Sequence, residues 1–458
     1  MGVVAHSLAA VFLLLTAIAV YRFALHPLRR FPGPKLAAVT DYYQAYFDIV
    51  KGGELLNHLR DLHVKYGPVV RIGPNTLHFA DADAYHDIYT HGQSFTKYKT
   101  LYSAGGQADS SVSFVDPQKA RSRRTILNPL FSRRAILKLE PVIQERVDKL
   151  IHRLSAWPKN ETVNMSFAFK CISLDVISEY CFANCFNALD TSDFRHPSLC
   201  AIQELLPNLW KQKHFPILLK VVDLLPESLV LWINPGIRPL LDIKRTLATQ
   251  VDRLLADNEA LKAVEHATIY HHMFDPGAEK HDSTHRHVRP TRKSLVDEAL
   301  TLIGAGSDTV GVTSTVGTFY ALHNPEIARK LKDELLSVWP DPEGSMSLSV
   351  LEKLPYLTAF IKESLRLGHG VVSPLPRVIG SDATIGRWAI PAGTVVEMSG
   401  VLLHEDPDVF QDPQTFSPER WLQPATRNLD FNLVPFSRGP RICLGLKYAI
   451  FGSLLRPC

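Results

Sequence analysis

The residues with the clearest chemistry lie near the C-terminus, where residues 436–445 read Phe-Ser-Arg-Gly-Pro-Arg-Ile-Cys-Leu-Gly. Cys443 lies between two glycines, Gly439 and Gly445, and glycine allows a tight turn and a close approach of the backbone to a flat ligand. Phe436 could pack beside the sulfur, and Arg441 could donate charge-assisted hydrogen bonds to a haem propionate. The alternative is a surface loop with an incidental cysteine. Because all five positions of the pattern are filled, a loop that presents a thiolate to a haem iron is the stronger interpretation.

A long apolar segment, residues 294–323, predicts a buried helix that could lie against such a ligand. Ser294 is its predicted N-cap, with Asp297 completing a capping box. A Gly-Ala-Gly-Ser-Asp-Thr sequence interrupts the helix and ends with the polar pair Asp308 and Thr309. A close helix crossing would explain the glycines, but it would leave Asp308 as a costly buried carboxylate. A flat ligand and a small gas at this point, with a proton path ending at Thr309, would explain all of these residues.

A second acid lies in an apolar helical segment. Glu363 and Arg366 are three residues apart, and a later Pro-Glu-Arg-Trp sequence adds Arg420. Alone, a Glu-x-x-Arg pair usually indicates a solvated surface contact. Here the apolar setting favours burial, and a carboxylate held by two guanidinium groups would fix two segments relative to each other. We interpret this role as structural.

Residues 1–25 form a predicted transmembrane anchor, because residues 3–25 are nearly all apolar. About 20 helical residues cross a hydrocarbon core of roughly 30 Å. A cleaved signal peptide is the alternative, but no Lys or Arg precedes Arg22. The basic residues after the span place the rest of the chain in the cytosol. Residues 26–38 then predict a proline-rich elbow, and residues 39–458 the catalytic domain.

The composition is that of a globular protein, with 46% hydrophobic and 21% charged residues among 458. A formal net charge of +4 is too small to indicate a nucleic-acid partner. Six cysteines without CxxC pairs do not predict a disulfide framework. The histidines of residues 265–293 match no fixed ligand spacing, which favours a solvated loop over a metal site. Helical spacing at 140–154 and 239–264, with β-formers at 69–80 and 384–396, predicts a mainly α fold with a minor β-sheet.

Taken in order, these patterns resemble those of a microsomal cytochrome P450, and the resemblance extends from about residue 1 to residue 449. Within that family the chain resembles fungal secondary-metabolism enzymes of the trichodiene-oxygenase kind. Three further stretches carry the narrower resemblance: residues 66–75, 127–132 and 404–413. The fold it implies is the cytochrome P450 fold with an N-terminal transmembrane helix.

The resemblance also implies roles for individual residues. Cys443 would ligate the iron of haem b, and its thiolate would favour O–O cleavage. Thr309 and Asp308 would deliver protons to dioxygen. Three arginines match haem-propionate contacts, Phe436 matches the aromatic beside the sulfur, and three residues match a structural triad. These are Arg441, Arg377 and Arg124 for the propionates, and Glu363, Arg366 and Arg420 for the triad.

The implied activity is that of a monooxygenase that inserts one oxygen atom from O₂ into an apolar small molecule, a terpenoid or polyketide intermediate such as a mycotoxin precursor. Electrons would come from NADPH–cytochrome P450 reductase, and the chain would sit in the endoplasmic reticulum membrane as a single-pass protein in contact with lipid. Basic residues near the cysteine are candidate reductase contacts: Arg121, Arg123, Arg133, Arg134, Arg438 and Lys447.

Two features depart from the family pattern. Ala120 stands where an aromatic residue or histidine often assists a propionate, and the chain has only 15 residues after Cys443, with the usual pattern ending near Ala449. The alternative interpretation is therefore a non-catalytic or defective haem protein with a truncated C-terminus. A haem-thiolate isomerase is a third hypothesis, and the Asp308–Thr309 pair argues against it because an isomerase needs no proton delivery to O₂.

Overall fold

The computed structural model describes residues 2–90, 95–257, 261–262, 264, 266–274, 290–341, 344, 346–424 and 426–453. The chain forms two compact units, each built from three chain segments. The first unit comprises Met1–Ala104, Pro207–Asp223 and Val372–Leu403. The second unit comprises Gly105–Leu206, Leu224–Val371 and His404–Cys458.

Helices account for most of the described residues, as the sequence predicted. The α-helices are α1 (Gly2–Val20), α2 (Lys35–Val39), α3 (Tyr42–Ala45), α4 (Leu55–Tyr66), α5 (Ala82–Thr90), α6 (Lys99–Tyr102), α7 (Pro117–Leu127), α8 (Arg133–Leu137), α9 (Glu140–Ser155), α10 (Met165–Phe182), α11 (Pro197–His214), α12 (Ile217–Leu224), α13 (Glu227–Ile233), α14 (Arg238–Ala256), α15 (Ile269–Phe274), α16 (Arg292–His323), α17 (Pro325–Val338), α18 (Leu348–Leu351), α19 (Pro355–Gly368), α20 (Gly400–His404), α21 (Arg427–Asn432) and α22 (Leu446–Ser453). Short π or 3-10 turns occur at Tyr21–Leu25, Pro27–Arg30, Tyr46–Val50, Ala188–Asp190, Pro235–Ile237, Pro418–Leu422 and Gly439–Arg441.

Among the described residues, the strands lie in the first unit and form one sheet of five strands and one of two. The larger sheet has the order β1-β2-β7-β4-β3, in which β2 and β7 are parallel and the other neighbours are antiparallel. The hairpin predicted in residues 69–80 is confirmed as β1 and β2. The strands are β1 (Val69–Gly73), β2 (Thr76–Phe79), β3 (Phe95–Lys97), β4 (Arg377–Ile379), β5 (Ala383–Ile385), β6 (Trp388–Ile390) and β7 (Val395–Glu397).

The N-terminal apolar segment is helical and exposed. Val3–Leu25 is 23 residues long with a mean hydropathy of 2.4, and its most apolar stretch is not buried against the protein. By length and composition it can cross a membrane, which is consistent with a membrane anchor.

The core of the second unit is built around α10 and α16, which pack closely along their length. Both helices are apolar on several sides, so both are buried rather than amphipathic. Two glycines of α16 permit the close crossing. A Cβ atom on Gly306 would lie 2.8 Å from Cγ1 of Ile177, and one on Gly311 would lie 2.5 Å from Cγ of Lys170.

The start of α16 corrects the sequence prediction. The helix begins at Arg292, and its N-cap is Thr291, whose side chain accepts a hydrogen bond from the Ser294 amide. Ser294 instead donates from its hydroxyl to the Asp109 carbonyl, and Asp297 accepts a hydrogen bond from the Asp109 amide. Both side chains are therefore used in tertiary contacts rather than in a capping box. The glycines do not interrupt the helix, which runs unbroken to His323.

Candidate active site

The Cys443 loop is closed by a backbone hydrogen bond of 2.8 Å from the Cys443 amide to the Phe436 carbonyl. Ser437 and Gly439 have positive φ angles of 60° and 68°, which turn the chain sharply before the cysteine. Phe436 packs against the core of the second unit. Cys443 is exposed, and a Cβ atom on Gly445 would meet nothing within 4 Å. The loop therefore presents the thiol beside open space.

Desolvation by the surrounding protein raises the pKa of the Cys443 thiol, although the residue lies at the loop surface. A hydrogen bond from the Gly445 amide and the positive charge of Arg124 act in the opposite direction. A thiol in this setting needs a further positive charge to ionise, and a bound metal ion supplies one. The donor chemistry of the loop thus fits an iron ligand.

Two of the predicted propionate-binding arginines lie beside this loop. Arg124, on α7, donates a 2.7 Å hydrogen bond from Nη2 to the carbonyl of Ile442, next to the cysteine. Arg441 donates from Nη2 to the carbonyl of Phe114. Burial lowers the pKa of the Arg124 guanidinium. Their location next to the thiol suits charge-assisted binding of the acidic groups of a haem.

The third arginine, Arg377, belongs to the first unit and begins β4. It is buried and donates from Nη1 to the hydroxyl of Tyr102 at 2.9 Å and to the Pro376 carbonyl at 3.1 Å. Its guanidinium also lies over the ring of Tyr89. Sequence reasoning did not single out either tyrosine, because neither belongs to a recognisable motif.

One side of α16 is open where its polar sequence occurs. Ala305 is exposed within a largely buried helix, and a Cβ atom on Gly304 would meet nothing within 4 Å. The Thr309 hydroxyl donates a 2.9 Å hydrogen bond to the Ala305 carbonyl, one turn earlier. The two glycines therefore have different surroundings: Gly306 packs against α10, whereas Gly304 borders open space. That open space could accept a flat ligand.

The partner of Asp308 was missed by sequence reasoning. Its Oδ1 lies 2.6 Å from Nζ of Lys170, which projects from α10 and is largely buried. The two residues are 138 positions apart in the chain, so no local pattern indicates the pair. Asp308 and Thr309 thus have separate partners in this structure.

The predicted buried ion network is densely hydrogen-bonded. Glu363 accepts from Nε and Nη2 of Arg366 at 2.9 and 2.8 Å, and from Nε of Arg420 at 3.0 Å. The indole of Trp421 and the amide of Ser417 complete its shell, each at 2.9 Å. Glu363 and Arg366 are both fully buried. With every lone-pair direction occupied, the carboxylate stabilises the arrangement of α19 and the Pro418–Leu422 turn.

His404 connects this network to the cysteine loop, a link that the sequence did not reveal. Its carbonyl accepts a 2.9 Å hydrogen bond from Nη1 of Arg366, and its Nε2 accepts a 2.9 Å hydrogen bond from the Val434 amide. Val434 precedes Phe436 by two residues. Complete burial lowers the pKa of His404 to about 3, so the imidazole is neutral and remains an acceptor. The arginine thereby helps to hold the start of the loop.

One candidate reductase contact is wrong. Arg123 is buried and donates 2.9 Å hydrogen bonds to Oε2 of Glu298 and to the Ser294 hydroxyl. Glu298, which is fully buried, also accepts from the amide and hydroxyl of Ser111. Arg123 therefore fastens α7 to α16 and is inaccessible to a protein partner.

The histidine-rich segment is only partly described. His266 contacts the carbonyls of Glu179 and Tyr180, and His271 contacts the Leu261 carbonyl. His281, His285 and His287 lie outside the described residues. Across the described part of the chain, no three His, Cys, Asp or Glu side chains are grouped as a metal site would require.

Comparison with known proteins gives a consistent result. The family model "Cytochrome P450" matches residues 34–453. The cytochrome P450 monooxygenase sdnE of Sordaria araneosa is 34% identical over 457 residues, covering 95% of this chain and 86% of that protein. The tryptophan 6-hydroxylase fscE of Fusarium equiseti is 38% identical over 448 residues, covering 94% and 84%. The conidiogenone synthase PchP450 of Penicillium rubens is 34% identical over 441 residues, covering 94% and 86%.

Proposed function

Given that the chain belongs to the cytochrome P450 family, we propose that it inserts one oxygen atom from O₂ into an apolar small molecule of fungal secondary metabolism, with Cys443 as the ligand of haem b. The monooxygenase activity is that of its relatives. The assignment of the ligand rests on one observation: among the described cysteines, Cys443 alone is exposed. Burial raises the pKa of the Cys171 thiol to about 12, which illustrates how the interior cysteines are kept inert.

Haem bound by this thiolate would supply the activation of dioxygen, with electrons from an NADPH-dependent reductase. Arg124 and Arg441 would bind its propionates. Phe436 would limit the access of water to the sulfur, since it packs between the loop and the core. Arg366, through His404, would keep the loop in the conformation that exposes the thiol.

Thr309 would hold and release a proton at its hydroxyl, on the open side of α16. In this structure that hydroxyl donates to the Ala305 carbonyl. Asp308 would relay the proton from solvent: its side chain is 24% exposed and can exchange with water, while the 2.6 Å contact with Nζ of Lys170 holds the carboxyl group in place. Proton transfer from Asp308 to Thr309 requires a change of partners, because neither residue hydrogen-bonds the other in the described geometry.

The substrate is proposed to be apolar, as for a terpenoid or polyketide intermediate. The support is an apolar side chain three residues after α19: Val371 is 52% exposed and would contact such a substrate. A second candidate class is an indole, because one relative is a tryptophan 6-hydroxylase that is 38% identical to the chain. Both substrate classes are compatible with membership of the family, since related folds accept different substrates.

We place the enzyme in the endoplasmic reticulum membrane, anchored by α1 with the remainder in the cytosol. The reductase would dock near the Cys443 loop through Arg121 and Arg134, which are exposed, and Lys447. The alternative of a non-catalytic haem protein gains no support from the relatives, which are named as enzymes. The loop is followed by α22, whose Tyr448 is buried.

Oxygen labelling tests this function. Membranes containing the chain and a fungal NADPH–cytochrome P450 reductase would be incubated with NADPH, ¹⁸O₂ and a panel of terpenoids, polyketides and indoles. We expect a product that carries one labelled oxygen and requires NADPH. A product formed without labelled oxygen, or at the same rate without NADPH, would contradict the proposal.

A further inference from the structure

The first unit contains a cavity of about 360 Å³ that takes no part in the proposed oxygen chemistry. Its wall is about half polar, with hydroxyl groups from threonines and tyrosines together with charged side chains. Four charged residues line it, namely Arg22, Asp41, Lys213 and Glu397. A volume of this size lies within the range of small-molecule sites in proteins.

Glu397 is the unusual member of this wall. It ends β7, opposite His78 of β2, and is only 4% exposed. Its Oε1 has no hydrogen-bond partner among the described residues. Buried carboxylates normally have such partners, because desolvation without compensation is costly. A ligand bound in the adjacent cavity could supply the missing hydrogen-bond donor.

The neighbouring basic groups already have acceptors. Nζ of Lys213 lies 3.1 Å from Oδ2 of Asp48 and 3.4 Å from Oε1 of Gln44. His214 contacts the same Asp48 oxygen at 2.6 Å. Arg22 donates a 2.7 Å hydrogen bond to a backbone carbonyl, that of Val39. These three basic groups are therefore bonded elsewhere, and none of them donates to Oε1 of Glu397.

The balance of charge favours a cation. Of the charged groups that line the cavity, Lys213 is already paired with Asp48, which leaves the carboxyl groups of Asp41 and Glu397 against the single cation of Arg22. Burial raises the pKa of Glu397 to about 7, Lys213 opposes this increase and Asp48 adds to it. A cation beside Glu397 would favour the ionised carboxylate.

We propose that this cavity binds a small organic cation with hydrogen-bond donors, such as a guanidinium or ammonium group, and that Glu397 is its anchor. A guanidinium can donate two parallel hydrogen bonds to a carboxylate. Asp41 is exposed and offers a second acid where the cavity meets solvent. The cavity thereby becomes a binding site in addition to the proposed active site, and it does not depend on the oxygen chemistry.

The probe for this site is n-butylguanidinium, compared with n-butanol and butyrate as neutral and anionic counterparts. Binding to the full-length haem-containing chain in lipid nanodiscs would be measured by saturation-transfer NMR and calorimetry. A protonated guanidinium has no free lone pair, so it does not compete for a haem iron. We expect n-butylguanidinium to bind more tightly than either counterpart, and Glu397→Gln to weaken its binding about tenfold.

Further variants keep the test independent of whether Glu397→Gln folds. Asp41→Asn should weaken n-butylguanidinium binding about threefold, and Lys213→Met should tighten it by a similar factor. Glu161→Gln, an exposed change in the second unit, should leave it unchanged. Equal affinity for n-butanol and n-butylguanidinium would overturn the proposal and indicate a merely hydrated or apolar cavity. Unchanged affinity in Glu397→Gln, or in both Asp41→Asn and Lys213→Met, would overturn it as well.

Discussion

Lys170 and Asp308 form a largely buried ion pair between α10 and α16, with Nζ and Oδ1 2.6 Å apart. The pair lies at a close contact between the two helices, since the aliphatic stem of Lys170 packs against Gly311, one turn after Asp308. The side chains of Lys170 and Asp308 are 7% and 24% exposed. A carboxylate that would be costly alone in an apolar helix is thereby stabilised by a cation from the neighbouring helix.

Removal of the cation should destabilise the fold. Lys170→Met keeps most of the aliphatic stem but leaves Asp308 without its counter-charge. We expect a loss of about 1–3 kcal/mol in the free energy of unfolding, below the value for a fully buried pair because Asp308 retains some solvent. Urea unfolding followed by circular dichroism measures the change.

The matched control is Lys149→Met. Lys149 pairs with Asp190 at 2.7 Å, but the two side chains are 29% and 61% exposed. Its loss should change the free energy of unfolding by less than about 1 kcal/mol. Equal effects of Lys170→Met and Lys149→Met would contradict the stabilising role of the buried pair.

The two glycines of the polar sequence in α16 should respond differently to alanine. Gly306→Ala places a methyl group 2.8 Å from Ile177 and should destabilise the protein by about 1–3 kcal/mol through overpacking. In the haem-free protein, Gly304→Ala meets open space and should have no packing cost, with a gain of up to about 1 kcal/mol in helix propensity. Thermal unfolding compares the stabilities of the two variants. A larger loss of stability in Gly304→Ala would show that Gly306 is not the glycine at the contact between α10 and α16.

Thr309 should couple NADPH consumption to product formation. Thr309→Ala removes the hydroxyl on the open side of α16, so NADPH oxidation should continue while the fraction that yields product falls severalfold. Thr315→Ala is the control, because Thr315 also bonds back to a carbonyl one turn earlier, that of Gly311 at 2.6 Å. The ratio of product to NADPH oxidised is the measurement. The same ratio in both variants would show that Thr309 serves only the helix.

Glu397 should make stability fall as pH rises. Its pKa is raised from 4.5 to about 7, so between these values the folded state keeps a proton that the unfolded state has released. Glu397→Gln removes the free-energy cost of ionising this carboxyl group in the folded state. Relative to wild type it should be nearly neutral near pH 4.5 and more stable above pH 7, by up to roughly 3 kcal/mol. Urea unfolding at several pH values tests this, and a constant difference between wild type and Glu397→Gln would contradict it.

Local patterns were sufficient for the parts of the fold that depend on neighbouring residues. The apolar spacing of α14 buries Ile243, Leu247 and Leu254 on one face, as expected of an amphipathic helix. Asn324 caps α17 through the Glu326 amide, as a residue before a helix-opening proline should. The loop around Cys443 was recognisable because its glycines, arginine and cysteine are contiguous.

Contacts across long stretches of chain could not be predicted in the same way. Lys170 shows no sign in the sequence of its partner Asp308, and His404 gives no sign that it accepts from Val434. Ser294 has the composition of an N-cap, yet its hydroxyl contacts a loop 185 residues away. In each case the side chain's role is set by tertiary packing, which overrides the local preference.

The central claim is that Cys443 provides the thiolate that binds haem. The most direct measurement is the difference spectrum of reduced membranes with and without carbon monoxide, for wild type, Cys443→Ser and the half-buried control Cys200→Ser. We expect a strongly red-shifted Soret band in wild type and Cys200→Ser, and its loss in Cys443→Ser. Persistence of that band in Cys443→Ser would contradict the account.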